Sequence, residues 1–171
     1  MTDKYDTGRI NQLFKAIKKI IPGFSGYHNR DYTIDSDILL RYNIALELEK
    51  FSKKLENIRE NLFLEGKLPA EGYIESTALR LKMMASSLRD RKYNDKIRVR
   101  LEEMSLADIE RLYEYDLSIL DHIEGLHTSI EKLESLKDAP HEFREELEYL
   151  NDSIDPIEKH RGKREEFLHQ S

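Results

Sequence analysis

The chain has 171 residues, of which 39% are apolar and 36% are charged, with only seven glycines and four prolines. This composition is typical of long solvated helices with little loop or sheet, and it excludes a chain that is disordered throughout. Lysine and arginine number 28 against 34 aspartate and glutamate residues, a formal net charge of −6, so binding to nucleic acid is not expected. The length fits a single helical domain over residues 1–171.

The first predicted element is a short basic amphipathic helix over residues 7–21. Its apolar side chains recur at helical spacing, and four cations occupy other positions. The apolar stripe consists of Leu13, Phe14, Ile17, Ile20 and Ile21. Residues 22–32, PGFSGYHNRDY, contain two glycines, a proline and an asparagine, so we interpret them as an ordered glycine loop.

Residues 34–138 are predicted to form the core of a bundle of long helices. Three runs, over about 34–65, 71–91 and 105–137, repeat apolar residues in alternating steps of four and three, which is typical of coiled-coil-like seams. The turn between the first two runs is short, which favours antiparallel packing. The basic segment 89–100 interrupts the periodicity and predicts a break. The seam residues are Ile44, Leu48, Phe51, Leu55, Ile58 and Leu62 in the first run, Ile74, Ala78, Leu81, Ala85 and Leu88 in the second, and Ile109, Leu112, Ile119, Ile123, Leu126, Ile130 and Leu133 in the third.

Residues 140–171 are predicted to form a C-terminal helical extension. Pro140 fits the first turn of a helix, and Pro156 is expected to break or kink that helix. The charged segment from Glu158 onward is expected to fray. The predicted fold class is therefore all-α, an elongated antiparallel helical bundle of about four to five helices with coiled-coil-like seams.

One carboxylate interrupts the seam of the third long run. The three-four spacing places Asp116 where an apolar residue is expected, and extending the seam of the first run backwards gives Arg41 and Asp37. Because a buried charge is costly unless it is paired, we predict that Arg41 contacts Asp116. Such a pair would either fix the register of the helices or form the floor of a polar pocket.

Catalytic and metal-binding motifs are scarce in this sequence. Glu124 and His127 have the Glu-x-x-His spacing of carboxylate-bridged metal sites, but the chain has no second such pair. It also lacks a glycine-rich phosphate loop, a His-Glu-x-x-His motif and a Gly-x-Ser-x-Gly motif. We therefore expect no metal, no cofactor and no catalytic residue, and a non-enzymatic protein is favoured.

The cysteine content and the N-terminal residues bear on the compartment. The chain contains no cysteine, which excludes disulfides, thiolate zinc sites and cysteine nucleophiles. The opening residues MTDKYDTGRIN contain no apolar signal core, and no segment approaches the roughly 20 consecutive apolar residues of a membrane span. We expect a cytoplasmic protein without a transmembrane segment.

Two segments, IPGFSGYHNRDYTIDSDILLR at 21–41 and IERLYEYDLSIL at 109–120, resemble an uncharacterised family of helical prokaryotic proteins. That family has no known activity, so the resemblance implies a helical fold and supplies no mechanism. Together with the seam positions, it predicts a buried polar cluster of Arg30, Asp37, Arg41 and Asp116. The overlying loop would carry the matching residues Gly23, Gly26 and Tyr27.

Three functions are compatible with these features. The first is a non-enzymatic interaction or scaffold protein whose exposed helix faces bind a protein partner or a second copy. The second is a ligand-binding or catalytic bundle with a polar pocket under the loop at 22–32. The third is a peripheral membrane protein that uses the basic helix at 7–21.

Overall fold

The computed structural model describes residues 7–67 and 71–170, and this part of the chain contains helices and connecting loops without a strand. The fold class is all-α, as predicted. The helices are α1 (Thr7–Ile20), α2 (Thr33–Leu64), α3 (Glu71–Arg89), α4 (Asp95–Glu102), α5 (Leu106–Ser135), α6 (Pro140–Asp152) and α7 (Asp155–His169), with a 3-10 turn over Arg30–Tyr32 before α2. Residues 68–70, within the predicted turn between the first two long runs, lie outside the described residues.

The described residues form seven α-helices rather than the four to five that the sequence predicts. Part of the basic segment 89–100 forms the short helix α4, because Asn94 accepts a hydrogen bond from the Ile97 amide and caps a new first turn. Pro156 lies in the first turn of α7, so the C-terminal extension is divided into two helices. The expectation that the chain frays beyond Glu158 is wrong, since α7 continues to His169.

The helices α2 and α3 pack against each other as an antiparallel hairpin. The Ser52 hydroxyl donates to the Ala78 carbonyl at 2.8 Å, and Arg89, further along α3, pairs with Glu49, earlier on α2, at 2.8 Å. The 32 residues of α2 span about 48 Å at about 1.5 Å per residue. This length makes the bundle elongated.

The helix α5 lies beside α2, and the C-terminal helices return along it in the opposite direction. Contacts along α5 join Asp116, His122 and Ser129 to Arg164, His160 and Glu146, respectively. The second half of the bundle is therefore antiparallel as well, with α6 and α7 together replacing one long helix. A capping box begins α5, since Ser105 and Asp108 bond each other's backbone amides.

The apolar residues of the predicted seams are buried without exception. The seams of α2, α3 and α5 and the buried apolar residues of α6, Phe143, Leu147 and Leu150, belong to one continuous core. Helix α1 covers one end of this core by packing against α5 through Ile10, Leu13 and Ile17. None of the described helices is long and apolar enough to cross a membrane.

Candidate functional site

A group of buried polar residues lies where the loop at 21–32, α2, α5 and α7 meet. Four of them, Tyr27, Asp37, Asp116 and Arg164, are buried and bonded to one another, and we refer to them as the Arg164 cluster. Each comes from a different element, because Tyr27 lies on the loop and the others on α2, α5 and α7, respectively.

The guanidinium of Arg164 lies between the two carboxylates of the cluster. Its Nε atom donates to Oδ1 of Asp116 at 2.5 Å, and its Nη2 atom donates to Oδ1 of Asp37. The Tyr27 hydroxyl donates to Oδ2 of Asp116 at 2.5 Å and accepts from Arg164 Nη2 at 3.2 Å. One cation therefore joins α7 to the loop, α2 and α5.

Further polar groups reach Asp37 from the break between α3 and α4. The Tyr93 hydroxyl donates to Oδ2 of Asp37, and Arg91 Nη1 lies 3.8 Å from the same oxygen. Arg91 Nη1 also donates to Oε1 of Glu165 at 3.0 Å. The basic segment thus contributes one of its arginines to the interior.

Aromatic side chains cover the cluster beneath the glycine loop. The Tyr113 hydroxyl accepts from the Tyr27 amide at 2.7 Å, and the two rings lie 5.0 Å apart. Phe24 meets Tyr27 edge to face at 5.5 Å. Gly26 has a φ of 81° and lies so close to Tyr113 and Phe14 that a side chain would collide with them.

The two aspartates of the cluster have pKa values that are shifted in opposite directions. Burial by itself would raise the pKa of Asp37, but the charges of Arg164 and Arg91 and the hydrogen bond from Tyr93 outweigh it and lower that pKa. At Asp116, burial outweighs the attraction of Arg164 and raises the pKa. Burial would likewise lower the pKa of Arg164, but the two aspartates hold it well above its ordinary value.

The predicted contact between Arg41 and Asp116 is wrong. Arg164 of α7 pairs with Asp116 instead, because α7 lies against α5 at this level. Arg41 is buried, but its Nε atom donates to the Leu88 carbonyl at 3.0 Å. Since Leu88 belongs to the last turn of α3, where carbonyls lack partners within the helix, Arg41 caps that helix end.

The other residues predicted for the site differ in their burial. Asp37 and Asp116 are fully buried, as expected of a polar cluster. Arg30 is exposed in the 3-10 turn, so its predicted burial is wrong. Within the predicted loop, Gly26 is buried above the cluster and Tyr27 is a buried member of it, whereas Gly23 is exposed at the first turn with a φ of 83°.

Arg164 is the residue that the sequence could have revealed and that we did not predict. It lies seven residues after Ile157 and three before Phe167, both buried, so it interrupts an apolar face just as Asp116 does. The expectation of a frayed tail concealed this pattern. Tyr93 and Arg91 carry no such signal, because they follow the end of α3 in an irregular segment.

Space for a ligand is very limited at the Arg164 cluster. The cavity beside Arg41, Arg164 and Glu165 has a volume of about 10 Å³, close to the limit for one water molecule. Among the described residues, no group of three or more His, Asp or Glu side chains could hold a metal ion. The cluster therefore presents no open space in which a substrate could meet its charges.

No family model, no curated protein and no solved structure matches this chain. The resemblance of residues 21–41 and 109–120 to an uncharacterised helical family accordingly stays a prediction.

Replacing Arg164 by methionine should lower the free energy of unfolding by about 3–5 kcal/mol, because two buried carboxylates lose their cation. Asp116→Asn should cost less, since Asp37 still pairs with Arg164. Chemical denaturation followed by circular dichroism measures both. Arg9→Met is the matched control, because Arg9 pairs with Glu114 at the surface, where solvent screens the pair, and its loss should leave the free energy of unfolding nearly unchanged. Equal effects of Arg164→Met and Arg9→Met would contradict a central role for the cluster.

Gly26→Ala should destabilise the fold by more than about 1 kcal/mol, through strain at positive φ and a collision with the aromatic rings. Gly125→Ala is the control, because Gly125 lies within α5 and nothing surrounds a new Cβ there. Its exchange should stabilise the protein by about 0.5–1 kcal/mol. Thermal unfolding of the two variants should therefore shift the melting temperature in opposite directions, and a shift in the same direction would refute the assigned loop conformation.

Alkaline pH should unfold the protein through its buried tyrosines. Burial and the charge of Asp116 raise the pKa of Tyr27 well above 10.0, and burial raises the pKa of Tyr113 to about 12. Stability from these groups is fully present below their unfolded pKa of about 10 and is lost as the pH rises through the folded values. The tyrosinate absorbance of Tyr27 and Tyr113 should therefore appear over the same pH range in which the helical circular dichroism signal is lost. Ionisation of all nine tyrosines near pH 10 without unfolding would contradict this prediction.

Proposed function

We propose that this protein is a non-enzymatic scaffold that binds another protein through the outer surface of the α2–α3 hairpin. The observation that carries this proposal is a group of large apolar side chains that the core does not use. Phe63, Leu79 and Met83 are 58%, 55% and 65% exposed, respectively. We call this surface, with the groove that it borders, the α2–α3 face.

The groove between the two helices has an apolar floor and a charged rim. Ile74 and Ala78 lie at its base, and its volume is about 530 Å³. Phe63 and Leu79 line it together with the rim residues Glu56, Arg59, Glu60, Glu75 and Lys82. An apolar centre surrounded by charged residues is the usual composition of a protein-binding surface.

The apolar residues of α3 are more numerous than one seam requires. The seam residues on its inner side are all buried. Leu79 and Met83, in contrast, lie four residues apart on the opposite, exposed side. A helix that is apolar on two sides commonly has a second packing partner. This distribution supports a role for α3 in contacts with another molecule.

The alternative of membrane contact through the basic helix has less support. The apolar residues Ile10, Leu13 and Ile17 of α1 are buried in the bundle. A peripheral membrane helix needs such a stripe for contact with lipid. In this conformation, α1 offers its lysines to the solvent, and Ile20 is the one large apolar residue of the helix that is exposed.

The alternative of ligand binding is favoured by one feature beside the glycine loop. A shallow pocket of about 380 Å³ is lined by Gly23, Ser36, Ile38 and Tyr42, among others. The Ser36 hydroxyl is buried and has no hydrogen-bond partner among the described residues. A small molecule with a polar group at Ser36 and an apolar part against Ile38 would satisfy both features.

Native mass spectrometry tests this second candidate. A bound small molecule should add mass to the 20.3 kDa chain, and Ser36→Ala should reduce the occupied fraction. The added mass should vanish on denaturation. A bare mass in gently purified protein, unchanged by the substitution, would remove the ligand-binding alternative.

Affinity capture with the α2–α3 face disrupted tests the leading proposal. Leu79→Glu combined with Met83→Glu should remove the proteins that co-purify with a tagged wild-type chain, because charges would have to be desolvated at the interface. Tyr149→Glu combined with Val99→Glu is the control, since both residues are comparably exposed elsewhere, at 62% and 49%. Proteins that are retained by the control and lost from the α2–α3 variant support the proposal. An identical set for both variants would refute it.

A further inference from the structure

Leu79 and Met83 form an exposed apolar stripe on α3, and the charged residues beside this stripe have a self-complementary order. Leu79 lies at the centre of this stripe, with Glu75 before it and Lys82 after it. Glu75 and Lys82 are seven residues apart, which is close to two helical turns, so both lie on the same side of the stripe. Both are exposed.

Two copies of α3 can pair Glu75 of one with Lys82 of the other only when the two helices run antiparallel. When two helices pack antiparallel, each flank of the stripe faces the same flank of the other helix, whereas parallel packing brings opposite flanks together. In the antiparallel case, Glu75 of one copy faces Lys82 of the second, and Lys82 of the first faces Glu75 of the second. On the other side of Leu79 lie Ser76 and Met83, neither of which carries a charge.

The spacing also fixes where the symmetry axis passes. The midpoint between Glu75 and Lys82 lies beside Leu79. At about 1.5 Å per residue, each charge lies about 5 Å along the helix from that midpoint, on opposite sides. A two-fold axis at Leu79 therefore brings both ion pairs into register and places the two Leu79 side chains against each other.

We infer that the occupant of the α2–α3 face is a second copy of this chain, docked as a symmetric dimer with the two α3 helices antiparallel about Leu79. This inference rests on the proposed function, because it names the partner of the same surface. Within the monomer, Glu75 also lies 3.3 Å from Arg59 of α2. Its side chain is nevertheless 68% exposed, so its carboxylate remains accessible to Lys82 of the second copy.

Reversal of the charges at Glu75 and Lys82 tests whether these two residues pair reciprocally between the copies. In Glu75→Lys, two lysines of each copy would face two lysines of the other, and in Lys82→Glu the facing residues would all be glutamates. Each variant should raise the dimer Kd by about tenfold or more at low salt. An equimolar mixture of the two variants should form a heterodimer, because both facing pairs are then of opposite charge. The double variant Glu75→Lys with Lys82→Glu should restore the homodimer.

Native mass spectrometry and sedimentation equilibrium measure these species, and Glu145→Lys is the matched control. Glu145 on α6 is 68% exposed, as Glu75 is, and its reversal should leave the dimer Kd unchanged. Circular dichroism verifies that each variant remains folded. A monomeric wild-type chain, or a dimer that is equally insensitive to reversal at 75, 82 and 145, would overturn the inference.

Failure of the dimer can be separated from failure of the proposed function. If the wild type is monomeric but Leu79→Glu with Met83→Glu still loses a different captured protein, the surface binds a partner other than itself. If the wild type is monomeric and no captured protein depends on this surface, both proposals fail. A dimer that the mixed variants restore supports both.

Discussion

The ion pairs of Arg164 with Asp37 and Asp116 impose the strictest constraint on this fold. All three side chains lie in the interior, where a charge without a partner costs several kcal/mol. Arg164 is on α7, whereas Asp37 and Asp116 are on α2 and α5, and Tyr27 brings the preceding loop to the same point. Any relative shift of these elements by one turn, about 5.4 Å, would separate the charges. The cluster therefore defines one register for elements that are distant in sequence.

The apolar seams alone provide much weaker control of that register. Leucine and isoleucine repeat along α2, α3 and α5 with nearly constant spacing, so a helix displaced by one heptad would still bury apolar surface. A polar group at a single seam position removes this degeneracy, because the displaced arrangement leaves it unpaired. The surrounding groups add to the effect. Arg91 and Tyr93 fix the break after α3 to Asp37, and Arg41 fixes the last turn of α3 to α2.

Because the buried polar residues fix the register of the helices, the surface of the bundle is where we propose that the protein binds. The groups with the most perturbed pKa values are buried and bonded to one another, and the cavity beside Arg164 has a volume of only about 10 Å³, so their charges stabilise the fold. Among the large apolar side chains that the core leaves exposed, Phe63, Leu79 and Met83 lie on the α2–α3 face. The interior charges and the exposed face thus have separate roles in our proposal. The interior charges specify one arrangement of the helices, and the exposed face of that arrangement binds another molecule.

Periodicity in the sequence was sufficient to predict the long helices α2, α3 and α5, their buried faces and the presence of carboxylates at Asp37 and Asp116 inside the core, because each depends on spacing within a single helix. It was not sufficient to predict the partners. Which cation meets Asp116 depends on the angle and height at which α7 returns along α5, and many pairs of residues at seam positions satisfy the same periodicity. Only the tertiary packing selected Arg164 over Arg41, because it placed α7 within hydrogen-bonding distance of Asp116 and turned Arg41 toward the end of α3.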